Sequence, residues 1–268
     1  MSPEDLEAIH LFFENYTSAF ISNARDGAPY ALKREHTFRV RDNIGAMGRA
    51  LGVDPSDIRL GEAVGLLHDV GRFPQFRDYG TFRDSVSVNH GVLGAEIIRD
   101  RGVLDEISTE EKSLILIVVE THNAYHLRSD MGQRALFLTR LLRDGDKLDI
   151  LRVMIDKYHR DLRPQEERSK DAFITLDLND DGTLSSDLLK RIWRGEMLDS
   201  GWVSSLNDLK LLQLSWVFDF NFPPAYGLLK ERNLMGKIVA TLPRTQEVLS
   251  LETFIMDVIE SGAQGRIP

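Results

Sequence analysis

The chain has 268 residues, which at about 150 residues per domain is one large domain or a core domain carrying an appended half. With 42% hydrophobic and 28% charged residues, the composition excludes disordered, collagen-like and coiled-coil classes, and the absence of cysteine excludes disulfides, thiolate zinc sites and cysteine nucleophiles. Forty-two acidic residues against 33 basic ones give a net charge of −9, which argues against a sequence-independent nucleic-acid binder but leaves room for a local basic pocket that takes a small phosphate.

The opening MSPEDLEAIHLFFENY carries acids from its fourth position and has no basic segment ahead of an apolar run, so no secretory leader is expected there. The longest apolar stretch, Leu114 to Val119, is far short of the roughly 20 residues that a membrane-spanning helix needs, and the expectation is a cytoplasmic protein. Apolar residues recurring at intervals of three and four predict helices over 3–23, 36–51, 57–70, 89–101, 109–125 and 133–155. Ser108 followed by Glu111 is a capping box ahead of LILIVV, and Gly102 stops the preceding helix. From Arg160 to Ser200 the chain is polar and broken, with ITLDL at 174–178 as a candidate short strand and SSDLLKRIWRG as a short helix. A further helical portion follows over 205–262. The expected fold class is therefore all-α, with a helical domain over 1–158 and a mostly helical extension over 159–268 that serves as a lid or a subunit contact.

The chemistry rests on where the seven histidines fall on the helical pattern. His10 and His159 read as ordinary boundary residues. His36 begins a helix whose inward face runs Val40, Ile44, Met47 and Leu51, and by itself reads more readily as a satisfied core residue than as a ligand. His68 and Asp69 close the next helix just before Gly71, where a helix end opens into a pocket; as a dipeptide, His-Asp arises readily by chance. His90 opens a helix after FRDSVSVNH. His122 continues the stripe of Leu114 and Val118, and Asp146 that of Leu138 and Leu142. An aspartate on an apolar face needs a cation, because a bare buried carboxylate costs several kcal/mol or protonates. Asp144 lies about 200° round the helix from Asp146 and should face away, whereas Asp149 shares the Asp146 face one turn on. Taken singly, each residue has a bland reading. Together they ask several buried polar groups to find partners independently, and one or two divalent ions would satisfy them at once. Imidazole and carboxylate without thiolate suit Mn, Fe, Co, Ni or Zn, with Mg less comfortable among so many nitrogens.

The order His36, His68-Asp69, Asp146, with EHTFRV around the first and LLHDVGRF around the second, resembles the HD-domain metal-dependent phosphohydrolases over about residues 30–155. His90 and His122 resemble the two extra ligands of the two-metal branch, which includes cyclic-dinucleotide phosphodiesterases and di-iron oxygenases similar to myo-inositol oxygenase. The stretch HDVGRFPQFRDYGTFRDSVSVNHGVLG further resembles a bacterial HD group with no assigned substrate. The resemblance implies one metal on His36, His68, Asp69 and Asp146, and a second on Asp69 as bridge with His90 and His122. Without those last two, a single-metal site remains. In RDGDKLD the resemblance and the helical face both choose Asp146, although Gly145 stands where members usually have alanine.

The implied activity is hydrolysis of a small phosphate ester, a nucleotide or a cyclic or dinucleotide phosphodiester, with Asp69 and Arg72 catalytic. Arg72 matches a basic residue that contacts phosphate in the superfamily, and reads equally as a cation at a helix C-terminus. Asn123 and His126 are candidates to line the substrate pocket, against a plain surface reading. The expected partner is a small phosphorylated molecule, with no nucleic-acid polymer and no membrane; a homo-oligomer is left open. A di-iron oxygenase and a non-catalytic nucleotide-sensing module stand as alternatives. DLNDDGTLSSDL at 177–188 starts like an EF-hand loop but has Leu188 where the bidentate glutamate belongs, so it reads as an acidic turn. SWVFDFNF, Phe73 and Phe76 read as core, not as a base-stacking surface.

Overall fold

The computed structural model describes residues 1–127, 130–161, 178–180 and 182–266. The architecture is all-α, and the chain divides into two compact units, Met1–Asp146 and Lys147–Pro268.

In the first unit, α1 (Pro3–Asn23), α2 (Ala28–Ala50) and α3 (Pro55–Leu67) pack on one another, and α3 also meets α6 (Thr109–Thr121). The helix starts are locally encoded. Ser2 and Asp5 form a capping box for α1, Asp54 accepts from the Ser56 amide at α3, and Ser108 accepts from the Glu111 amide at α6. Helix α3 is the central element, with Ile58, Leu60, Ala63, Val64, Leu66 and Leu67 all buried. Phe73 is fully buried among Phe13, Tyr16, Phe20 and Tyr30, with ring centroids 5.6–6.2 Å away, so it belongs to the core as expected. Phe76 stacks on Phe82 at 4.6 Å. After α4 (Arg72–Tyr79) and α5 (His90–Asp100), α7 (Gln133–Asp161) runs from the first unit into the second.

Several boundaries differ from the periodicity reading. Helix α2 starts at Ala28, not at His36, because Pro29 sits in the first turn, where its missing N–H costs nothing and its fixed φ favours the helix. His36 is therefore in mid-helix. Helices α3 and α6 end at Leu67 and Thr121, leaving His68 and His122 as C-caps. Helix α4 lies where a loop is expected over 72–89; Pro74 falls in its first turn, where proline begins helices as readily as it breaks them.

The second unit holds α8 (Ser186–Trp193), α9 (Leu206–Ser215), α10 (Pro223–Glu231), α11 (Leu234–Val239) and α12 (Gln246–Ala263). Helix α12 packs on α10 and α11, burying Leu251, Ile255 and Ile259 with Tyr226, whose hydroxyl donates to the Val217 carbonyl at 3.0 Å. Leu188 is buried in α8, consistent with a core role in place of an ion ligand. Of the candidate strand at 174–178, residues 174–177 lie outside the described residues, as do Asp177 and Asp181 of the acidic turn. Among the described residues the only strand-like pairing is an isolated bridge between Asn179 and Ser205, and no helix is long and apolar enough to cross a membrane.

Candidate metal centre

Five elements of the first unit converge. Helix α2 presents His36 from mid-helix, the α3 C-terminus presents His68 followed by Asp69, His90 is the first residue of α5, His122 caps α6, and Asp146 projects from α7. The turn after α3 is tight: the Val70 amide donates to Leu67 O at 3.3 Å and the Arg72 amide to Asp69 O at 2.9 Å. Tyr16 ties the same turn to α1 by donating to Val70 O at 3.2 Å. Gly71 lets α5 approach, since a Cβ there would lie 2.2 Å from His90 O and 2.8 Å from the Gly94 nitrogen. That contact seats the His90 backbone against the turn that carries Asp69.

Asp69 is the hub. Its Oδ2 lies 3.7 Å from His36 Nε2 and 3.5 Å from His68 Nε2, and its Oδ1 lies 3.4 Å from His90 Nε2. His90 Nε2 is 3.0 Å from His122 Nε2. Two ligand-competent groups result, His36–His68–Asp69 and Asp69–His90–His122, each with donor atoms within 4.8 Å of one another and all five residues buried. Asp146 Oδ1 closes the first group, 3.1 Å from His36 Nε2 and 3.9 Å from His68 Nε2, with its side chain 22% exposed toward solvent.

Hydrogen bonds on the outer edges of the rings determine what faces inward. His68 Nδ1 is 2.8 Å from Gly65 O, His122 Nδ1 is 2.7 Å from Val119 O, and His90 Nδ1 is 2.7 Å from Asp84 Oδ2. These oxygens can only accept, so each Nδ1 carries the proton and each Nε2 turns a lone pair into the cluster. Burial lowers all three imidazole pKa values, that of His122 to about 3 with help from His90 and His68, so the rings are neutral at neutral pH. Burial opposes ionisation of Asp69, but Lys33, His68, Arg72 and His90 outweigh it and hold the carboxyl well below the usual range. Asp146 is likewise held low against burial by its hydrogen bond to His36 and by the His36 and His68 rings.

The residues fit a divalent transition metal. His68 Nε2 is buried without a hydrogen-bond partner, and two facing lone pairs 3.0 Å apart on His90 and His122 repel unless a cation or a shared proton lies between them. All-nitrogen and oxygen donors suit Mn, Fe, Co, Ni or Zn.

Of the remaining expected residues, Arg72 flanks the hub with Nε 3.4 Å from Asp69 Oδ1, but its Nη1 is spent on Gln75 Oε1 at 2.9 Å, Asp84 Oδ1 at 2.7 Å and the Phe82 carbonyl. Asn123 sits behind His90, donating to Asp84 Oδ2 and Asn89 Oδ1, both at 2.9 Å. His126 is exposed and edge-on to Tyr125, and among the described residues no contact joins it to the cluster. Asp144 and Asp149 are both buried. Three neighbours escaped the sequence reading. Lys33 donates to Asp69 Oδ2 at 2.7 Å, Gln75 is fully buried beneath the 80–89 segment, and Asp84 receives His90. Lys33 shares the His36 face one turn back and becomes visible once α2 is started at Ala28. Asp84 carries no periodic signal.

A family model described as HD domain matches residues 34–172, just over half of the chain and inclusive of all six clustered residues. No curated protein and no solved structure matches the chain significantly. HD domains are all-α and in general bind divalent metals as phosphohydrolases, in keeping with the helices and the buried His/Asp groups found here. On the extent of that match, the chain belongs to the HD-domain family.

Proposed function

We propose that the protein is a metal-dependent phosphohydrolase acting on a small phosphate ester, a nucleotide or a cyclic or dinucleotide phosphodiester. The observation that carries this reading is a single buried carboxylate, Asp69, shared between two groups of histidines. In this reading His36, His68, Asp69 and Asp146 hold one ion, and Asp69, His90 and His122 hold a second. Bound divalent ions supply Lewis acidity toward phosphoryl oxygens and a water of lowered pKa.

The chain's own contribution is charge and orientation. His68, His90 and His122 stay neutral and keep their lone pairs inward, and Asp69 stays ionised. Lys33 and Arg72 keep positive charge beside Asp69, suited to the non-bridging oxygens of a phosphate. His126, four residues beyond His122, is proposed to meet the part of the substrate beyond phosphorus, whereas Asn123 is committed to Asp84 and Asn89 behind His90. The proposed setting is the cytoplasm, with a small molecule as partner in preference to a nucleic-acid polymer or a membrane.

Metal analysis of protein purified without chelator, paired with hydrolysis of bis-para-nitrophenyl phosphate and para-nitrophenyl phosphate under added Mn, Ni, Co, Fe or Mg, tests this. Close to two ions per chain with metal-dependent release of nitrophenol is the expected result. Two irons with oxygen uptake and no hydrolysis would replace it with the oxygenase reading. Tight nucleotide binding without turnover in the fully metallated protein would replace it with a sensing module.

A further inference from the structure

Asp84 opens the short 3-10 turn Asp84–Val86 between α4 and α5, and its side chain is 30% exposed, yet both oxygens are engaged. Oδ1 accepts from Arg72 Nη1 at 2.7 Å and Gln75 Nε2 at 2.9 Å, and Oδ2 accepts from His90 Nδ1 at 2.7 Å and Asn123 Nδ2 at 2.9 Å. Four donors on two oxygens use the full acceptor capacity of a carboxylate. The segment is held from beneath as well, because the buried Gln75 Nε2 also lies 2.9 Å from Ser87 Oγ and 3.0 Å from Val88 O. Asp84 is thus a fixed group, although no helical or strand periodicity marks it.

A neutral imidazole has one donor nitrogen and one acceptor nitrogen, and the partner of one decides the role of the other. His68 and His122 take their tautomer from backbone carbonyls, which no substitution removes. His90 takes its tautomer from a side chain. We propose that Asp84 is a positioning residue that fixes the His90 proton on Nδ1 and leaves the Nε2 lone pair for a metal, so that occupancy of the second ion depends on the 80–89 segment. The arrangement is of the general carboxylate–histidine–metal kind, in which the outer partner sets ring orientation and basicity. The proposal rests on the two-ion reading above, and for an isosteric substitution that inverts polarity it predicts a different outcome from a loop-stapling role.

Asp84→Asn is the discriminating variant. Asparagine has the shape of aspartate but offers one acceptor and one NH2 group. The charged Arg72, with Gln75 beside it, retains the carbonyl oxygen, so the NH2 faces His90. His90 Nδ1 must then accept, which moves the ring proton to Nε2 and blocks the lone pair. Titration of Mn2+ or Zn2+ into the chelated full-length protein against a competing chelator should show the second ion weakened about 10- to 100-fold in Asp84→Asn and Asp84→Ala, with the first ion unchanged. In the metal-free state, 15N NMR should report His90 protonated on Nδ1 in the unsubstituted protein and on Nε2 in Asp84→Asn. Thermal melting identifies loss of the fold, which the isosteric variant is chosen to avoid. Two ions bound by Asp84→Asn as tightly as before, with His90 still protonated on Nδ1, would overturn the proposal and leave Asp84 as a staple of the segment. No bound ion in the unsubstituted protein would overturn the two-ion reading instead, while the metal-free NMR comparison would still decide whether Asp84 sets the tautomer.

Discussion

The two halves of the cluster are built differently. His36, His68 and Asp146 come from α2, the end of α3 and α7, long elements packed against each other, so their positions follow from helix geometry and core burial. His90 stands at the first residue of α5 and depends on a close backbone approach at Gly71 and on Asp84 from a non-periodic segment. His122 shares features of both, a C-cap on a periodic stripe whose Nδ1 meets its own helix. The first half is positioned by the fold itself, and the second by a hydrogen-bonded loop laid over it. A ligand held by packing tolerates changes outside the core, whereas one held by a loop is exposed to them.

The largest expected effect removes what the halves share. Asp69→Ala should release both ions and reduce turnover by more than the roughly 10²–10³-fold typical of losing one catalytic donor, as read by metal content and nitrophenol release. Retention of either ion would show that the halves are independent and not bridged.

His122→Ala should separate them. It is expected to lower stoichiometry from two ions to one while His36, His68, Asp69 and Asp146 keep theirs, so metal analysis distinguishes it from Asp69→Ala even where both variants are inactive. Loss of both ions would show that the first half is not self-sufficient.

In the chelated protein, acid should act on the cluster through its neutral histidines. A histidine whose folded pKa is depressed contributes stability in full above its unfolded value near 6.5, and that stability is lost as pH falls below it toward the folded value. For His122, with a folded pKa of about 3, stability should decline from about pH 6.5 downward, by about 2 kcal/mol at pH 5. Asp69 and Asp146, also depressed, add losses only below their unfolded values near 4. Thermal melts between pH 7.5 and 5 check this, and a melting temperature unchanged over that range in the chelated protein would refute it.

The smallest effect concerns Gly145, which stands where members of the family usually carry alanine. A Cβ there would lie 3.1 Å from Ile44 Cγ1 and 3.3 Å from Val40 O, while the Asn43 side chain donates to Gly145 O at 3.0 Å. The tight contact offsets the helix-propensity gain of about 1 kcal/mol, so Gly145→Ala should leave stability within about 1 kcal/mol and both ions in place. Loss of the first ion alone in this variant would show that Asp146 is placed by the α2–α7 contact more delicately than these distances indicate.

What could be read from the residues alone follows the same division. His122 and Asp146 were legible because intervals of four carry an apolar stripe onto a polar residue, and His68-Asp69 because the apolar run ends there before a glycine. The all-α class followed from the same periodicity. Lys33 is hidden only by the late start given to α2, whose first turn holds Pro29. Helix α4, only eight residues long, lies between the predicted helices. Arg72 was found, but its engagement with Asp84 and the Phe82 carbonyl was not, because a side chain's partners across a loop leave no trace in spacing.

Local chemistry therefore determined the helices, their caps and the inward faces, since 3.6-residue periodicity and capping act over a few residues and are written in the order of the chain. The meeting of His36, His68, Asp69, His90 and His122 within one buried volume, the tautomer that each ring adopts and the role of Asp84 arose only on folding. The meeting depends on contacts between residues 21 to 110 positions apart, where distance in the chain says nothing about distance in space, and the tautomers depend on which atom three to six residues back, a carbonyl or a carboxylate oxygen, faces the ring.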